Sequence, residues 1–443
     1  HGAAWADFDN DGDQDLIELV GGTGANHLFI NTQLDNEQRT FVESANLVGL
    51  DYPPGRGRTP LWLDWNKDGL TDILMTNGDR AGAPTALFEQ TATGFHNATG
   101  FAGLNAEKDS DFAVLHSLSG NGNLNLIIHG GPFPQRIYDI STTPFLDLTA
   151  TQFIPDVSSV ADVAVGDFDG DMLPDLFLAR AQGEPDLLQT SDSRIESLIT
   201  VNGNTRGFKF AGSGLVTFDL WRIPGAWSLS QIFIGNSGFQ PTSSSITLDP
   251  NDPSVHMLPA DLPSNEEGVF IFYDPTDGLW YLSSYAASRK LFVVLVEGSQ
   301  PLRDVTPIGF QPLSSLHQSR LFHNTGQGFI DKTFTALGSR LASCWSAVAG
   351  DFDNDMDLDI YEVCNRGVGN QPNILYENNG NGIFTADPNS GGASGSLLGI
   401  GDSATVVDYD MDGFLDLFVT NGFGSRPPSL HDGPDQLFHN LGN

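Results

Sequence analysis

One short pattern recurs along the chain: oxygen-bearing side chains at alternate positions, a turn, then an acid leading into an apolar strand. It first appears as "DFDNDGDQDLI" at 7–17 and returns as "DWNKDGLTDIL" at 64–74, "DFDGDMLPDLF" at 167–177, "DFDNDMDLDIY" at 351–361 and "DYDMDGFLDLF" at 408–418. A sixth copy, "SLSGNGNLNLI" at 117–127, has Ser or Asn where the others have acids. The starts lie 57, 53 and 50 residues apart over the first four copies and 57 apart over the last two. A second element follows at a similar distance: "HLFINT" at 27, "ALFEQT" at 86, "RLFHNTGQGFID" at 320, "ILYENNGNGIFT" at 374 and "QLFHN" at 436. A period of about fifty residues, built from short strands and turns, is the signature of a propeller with one four-stranded sheet per blade. The fold class expected is all-β, a seven-bladed β-propeller, with six blades as the alternative.

Between the fourth and fifth copies the spacing widens to 184 residues, and 205–300 lacks the acidic loop. That stretch reads as strands in its own right, in "GFKFAGSGLVTFDLW", "GVFIFYDPTDGLWYL" and "KLFVVLVEG". The domain reading is therefore propeller blades over 1–204, an inserted β module over 205–300 (with or without a divergent blade in it), and further blades over 301–443. Fifty Gly and 25 Pro fit a chain of many turns. No run of about eighteen apolar residues exists, so no membrane-inserted helix is expected. The chain starts at His1 with no signal-like segment, which reads as a processed or trimmed chain.

Net charge is −36, from 20 basic and 56 acidic residues. Such a surface repels phosphate backbones and anionic lipid, which disfavours nucleic acid and membrane partners. The 10 % aromatic content and the apolar repeat oppose disorder.

In the D-x-D-x-D-G-x-x-D loop, side chains at positions 1, 3, 5 and 9 are oxygen donors, and position 7 offers a side chain or a backbone carbonyl. Calcium takes about six to eight oxygens at roughly 2.3–2.6 Å and suits that set, whereas magnesium demands a tighter octahedron. No Cys or His lies within the loops, which argues against zinc and copper. The loop is not an EF-hand, which needs Glu at position 12 and flanking helices. The expected ligands are Asp7, Asp9, Asp11, Asp13 and Asp15; Asp64, Asn66, Asp68, Leu70 and Asp72; and Asp167, Asp169, Asp171, Leu173 and Asp175. The last two loops add Asp351, Asp353, Asp355, Asp357 and Asp359, then Asp408, Asp410, Asp412, Phe414 and Asp416. About five Ca²⁺ sites follow, and they explain why 21 of the 56 acids sit in five short loops. Ser117, Ser119, Asn121 and Asn125 of the neutral copy are expected to keep the turn by hydrogen bonding alone. Gly at position 6 permits positive φ. Met172 and Met356 stand there in two copies, so those backbones are expected to be strained or differently turned.

These loops, each followed by an apolar dipeptide, resemble the FG-GAP/VCBS repeats of integrin α-subunit heads and bacterial surface proteins. The pairing of "WADFDNDGDQDL" with "LFHNTGQGFIDKTF" is similar to the ASPIC/UnbV-associated group. The resemblance covers both ends and most of the middle. It implies a calcium-stabilised seven-bladed propeller, secreted or surface-exposed, used in adhesion or ligand binding.

The leading expectation is thus an extracellular, non-enzymatic module with a protein or carbohydrate ligand. One alternative is a polysaccharide lyase or glycosidase, though G-x-S-x-G, H-E-x-x-H and the P-loop are all missing. Another is a structural subunit of an extracellular assembly, which would make it a homo-oligomer. His116, His129, His323 and His439 sit beside expected strands and read as packed or surface side chains. Trp221, Trp227, Tyr273, Trp280, Tyr281 and Tyr285 of the insert are candidates for sugar stacking or for core. Cys344 and Cys364 flank the acidic loop at 351–359; a hairpin centred near residue 354 would set them opposite each other, within disulfide range. Asn97-Ala-Thr99 is a glycosylation sequon.

Overall fold

In a computed structural model, the described residues are 2–22, 24–33, 39–78, 83–107, 110–119, 122–129, 135–151, 157, 159–181, 187–222, 227–238, 241–288, 290–310, 317–364, 372–387, 389–395, 401–421 and 434–442. They form an all-β protein of small, mostly antiparallel sheets; the α-helices among them span no more than five residues.

Six of the sheets follow one plan. Each opens with a strand that ends at a loop of the repeat: Gly2–Ala6, Gly57–Leu63, Phe112–His116, Val160–Gly166, Cys344–Gly350 and Gly401–Val407. Past the loop the chain returns antiparallel as Asp15–Leu19, Asp72–Asn77, Asn125–His129, Asp175–Arg180, Asp359–Cys364 and Asp416–Asn421. Position 9 of every loop is thus the first residue of a second strand. The "LF" elements are the third strands, His27–Gln33, Ala86–Thr91, Arg320–Asn324, Ile374–Asn378 and Gln436–Phe438, with Arg136–Asp139 in the third sheet. A fourth strand completes five of these sheets, and the sixth has three strands among the described residues.

The second strands of the second to fifth sheets are buried along their whole length. Alternate side chains point to opposite faces of a strand, so each such strand feeds two cores. Ile73 and Met75 pack with Ile17, Leu19 and Phe88, whereas Leu74 packs with Leu126 and Ile128 of the third sheet. Leu176 and Leu178 join Ile127, while Phe177 joins Ile360 and Tyr376 of the fifth sheet. Tyr361 and Val363 meet Leu417 and Val419 of the sixth. The sheets therefore stack face on face in chain order, with their first strands in successive contact. The outward faces of the first and sixth sheets leave Trp5, Phe41, Tyr409 and Phe418 exposed.

The fourth sheet joins strands from distant sequence: Asp175–Arg180 pairs with Arg320–Asn324. The intervening chain forms two five-stranded sheets. One runs Leu187–Ser191, Arg194–Val201, Lys290–Gly298, Val216–Arg222, Ser245–Leu248; the other runs Ile232–Ile234, Gly268–Asp274, Leu279–Tyr285, Thr205–Gly212, Leu302–Ile308. Ile195, Phe218 and Val294 of one meet Phe208, Ile271 and Trp280 of the other in a shared core. Trp227, Trp280 and Tyr281 are buried, Tyr273 and Tyr285 are half-buried, and the Trp221 side chain lies outside the described residues.

Cys344 and Cys364 form a disulfide at facing positions of the fifth sheet's first hairpin. Beneath it Glu362, wholly buried, accepts a 3.1 Å hydrogen bond from Arg340 and another from Ser319 Oγ.

Candidate metal centres

The five acidic loops share one hydrogen-bond scheme. Asp7 Oδ1 and Oδ2 accept the N–H groups of Asp11 and Gly12, both at 3.0 Å. Asp64 does the same with Asp68 and Gly69, Asp167 with Asp171 and Met172, Asp351 with Asp355 and Met356, and Asp408 with Asp412 and Gly413. The position-5 carboxylates of Asp11, Asp68, Asp171, Asp355 and Asp412 accept the N–H two residues on, from Asp13, Leu70, Leu173, Asp357 and Phe414, at 2.8–2.9 Å. Asp9, Asn66, Asp353 and Asp410 accept the position-5 N–H at 3.0–3.3 Å. These bonds curl the loop so that its side-chain oxygens converge.

The curl requires left-handed backbone at position 6. Gly12, Gly69 and Gly413 take φ of 92°, 86° and 94°, and Met172 and Met356 are forced to 69° and 75°. For a residue with a Cβ that conformation costs about 1–2 kcal/mol. The loop imposes it because position 1 must collect the position-6 N–H.

Position 9 binds strands together. Oδ2 of Asp72, Asp175, Asp359 and Asp416 accepts the N–H of Trp65, Phe168, Phe352 and Tyr409, respectively, at 3.0–3.2 Å. Oδ1 of Asp15, Asp72, Asp175, Asp359 and Asp416 accepts the N–H of Asn31, Gln90, Asn324 and Asn378 on the third strand and of Asn440 just past it, at 2.7–2.8 Å. Asp15 is buried like the others, and the Phe8 N–H approaches it in the same way and steadies its charge, at longer range than a full hydrogen bond. Ligand atoms of the Asp7, Asp9 and Asp15 carboxylates lie within 4.8 Å of one another.

Burial raises Asp15, and it pushes Asp72, Asp175 and Asp359 up to about 6. Neighbouring loop acids add to the shift, and backbone N–H groups oppose it. Asp416 stays below the usual range. Desolvation is its largest influence, but the N–H groups of Asn440 and Tyr409 and the His439 ring outweigh it.

The residue after the "LF" or "LY" pair sets a polar side chain beside four of the five acidic loops, a feature not visible in the loops themselves; at the first loop that position is Ile30. Glu89 Oε1 accepts from Asn66 Nδ2 at 3.1 Å, so an acid faces the one loop with an amide at position 3. Burial raises Glu377, with Asp387 and Asp353 contributing. His323 Nδ1 lies 2.9 Å from Asp169 Oδ2 and 3.2 Å from Asp175 Oδ1. His439 Nδ1 lies 3.4 Å from Asp410 Oδ2 and 3.2 Å from Asp416 Oδ1. A loop free of histidine in sequence is thus not free of it in space. The signal available was the fixed "LF" element, whose next residue is Glu89, His323 or His439.

Asp13 is engaged by Arg39 and turned to an ion pair. In the neutral copy Ser117 Oγ accepts the Gly122 N–H and Asn125 Oδ1 accepts the Leu118 N–H, both at 3.1 Å; Asn121 lies outside the described residues. Of the other histidines, His129 is buried and stacks on Phe112, and burial lowers His116.

A convergent, oxygen-rich donor set that includes the buried Asp15 carboxylate fits a hard divalent cation, which would offset the crowded charge. Residues 7–75 match the family model of the FG-GAP-like repeat. No curated protein matches the chain. Among solved structures the chain is similar to the V. cholerae biofilm matrix protein Bap1, at 10 % identity and a TM-score of 0.35, over 99 % of this chain and 77 % of that one.

Proposed function

We propose that the six small sheets are blades of a β-propeller, that each of its five acidic loops holds a divalent cation, and that the whole acts outside the cell as a non-enzymatic adhesion or ligand-binding module. The observation that carries the cation reading is the convergence of the Asp7, Asp9 and Asp15 carboxylates within 4.8 Å of one another, the last of them fully buried. Leaving a charged oxygen so placed is costly unless something positive meets it. The other loops repeat the same scaffold, so the same ion suits them. Asp7, Asp9, Asp11 and Asp15 would hold it in the first loop, and the corresponding residues would do so in the rest. Its role is architectural: it draws the loop's carboxylates together and ties the hairpin end to the third strand through position 9.

The face-on-face stacking of like sheets, each with its first strand against the next, supports the propeller reading. The insert between the second and third strands of the fourth blade is a separate sandwich. The disulfide suits an oxidising compartment. The charge of −36 suits a soluble surface that avoids nucleic acid.

Elemental analysis of calcium-loaded, desalted protein tests this directly. Five calcium ions per chain are expected, with a large fall in melting temperature on chelation, because saturation at about 100 times Kd adds roughly 2.7 kcal/mol per site. One ion or none, or a melting curve indifferent to chelator, refutes it.

A further inference from the structure

We propose that the loops 167–175 and 408–416 are mixed carboxylate–imidazole centres that prefer a first-row transition ion such as Zn²⁺ over Ca²⁺, with His323 and His439 as the nitrogen ligands. This rests on the cation reading above and divides its five sites into two classes.

The two centres are built alike from separate parts of the chain. In each, the position-3 and position-9 carboxylates meet a ring nitrogen from the third strand: Asp169, Asp175 and His323, then Asp410, Asp416 and His439. The nitrogen–oxygen separations are 2.9 and 3.2 Å in the first and 3.4 and 3.2 Å in the second. Two ligands each about 2.1 Å from one ion stand roughly 3.0–3.4 Å apart in octahedral or tetrahedral geometry, so the donors already have the spacing of neighbours on a small coordination polyhedron.

A simple ion pair describes His323 poorly. Its Nδ1 is shielded from solvent yet makes no hydrogen bond, and Asp169 Oδ1 beside it has no partner either. Imidazole is a good ligand for zinc and its neighbours and a poor one for calcium, which takes oxygen. The corresponding third-strand residues at two other loops, Glu89 and Glu377, keep those sites oxygen-only. His323 also borders a cavity of about 280 Å³ that Asp169 and Asp175 line with it, whereas the cavity of about 310 Å³ at His439 is lined by Asp353 and Asp359 of the preceding acidic loop. The cavity at His323 supplies an entry path and room for water to complete the coordination there.

The test uses the full chain, loaded with Ca²⁺, desalted, and then titrated with Zn²⁺. Two zinc ions per chain are expected to enter, each displacing one calcium, and Co²⁺ in their place should give a visible d–d band. His323→Gln and His439→Gln should each abolish one uptake step, weakening zinc at that site by at least about tenfold. H323E and H439E, which copy the chain's own glutamate-bearing loops, should fold, hold calcium and refuse zinc. Zinc uptake unchanged in the double His→Gln variant overturns the proposal, as does calcium-loaded protein that takes up no zinc. The initial calcium count tests the parent reading separately: histidine-dependent zinc uptake without calcium elsewhere would sink that reading and leave this one standing.

Discussion

Asp15 is buried beside the carboxylates of its own loop, and that burial and crowding oppose its charge. Its Oδ1 accepts the Asn31 N–H, and the Phe8 N–H steadies the charge from longer range. Asp15→Asn keeps the first contact and removes the charge, so its effect should reverse with conditions. In calcium the variant should lose about 2.7 kcal/mol along with one ion. In metal-free buffer it should be at least as stable as the parent, because a desolvated charge has gone. Melting curves in the two buffers read both signs. The carboxyls of Asp72, Asp175 and Asp359 give a second reversal. Burial first, with the neighbouring acids, sets them near 6 in the folded chain, against about 3.9 unfolded. The folded state therefore binds their protons more tightly. Their contribution to stability is complete below about pH 4 and is lost as pH rises through 6. Metal-free protein should melt higher at pH 5 than at pH 7. Calcium-loaded protein should show the opposite, since the ion needs ionised ligands. Identical pH trends in the two forms would count against this account.

At the scale of elements, much of the architecture was legible in the sequence. The position-9 acid announced the start of each second strand, and the hairpin around residues 351–359 placed Cys344 opposite Cys364, as found. Less legible were features that depend on which strands become neighbours. His323 stands beside Asp175 because 140 residues or so of intervening chain fold away by themselves, and no local pattern reports that. The left-handed Met172 and Met356 were visible as anomalies, but not the Asp167 and Asp351 contacts that explain them. The two five-stranded sheets begin at Leu187 and end at Ile308, beyond both ends of the stretch that merely lacks the motif. They leave and rejoin the fourth sheet at strands that are hydrogen-bonded to each other. Replacing 187–308 with a short Gly-Ser linker should therefore leave that sheet paired. The expected product is folded, with a cooperative melt and an unchanged cation count. A molten or aggregated product would mean that the insert is part of the core.

Across the whole molecule, the loops are physically joined. Gln90 Nε2 donates to Phe8 O, Asn324 Nδ2 to Leu118 O, Asn378 Nδ2 to Phe168 O and Asn440 Nδ2 to Phe352 O, at 2.6–3.1 Å. Each amide reaches from the third strand of one sheet to the loop of the sheet before it. The backbone N–H of the same residue is held by its own position-9 acid. Filling one loop thus fixes the group that steadies the previous one, and the loops at 167, 351 and 408 form an unbroken series. Calcium uptake by these three should be cooperative. Asn378→Ala should cut the series at one link, at a cost of about 1 kcal/mol, and leave both flanking loops able to bind. An isotherm as steep as the parent's would show that the link carries no coupling. The consequence reaches past stability. A body laced in this way stiffens along its length as the surrounding ion level rises and slackens from one rung to the next as it falls, so its rigidity becomes a gauge of the medium around it.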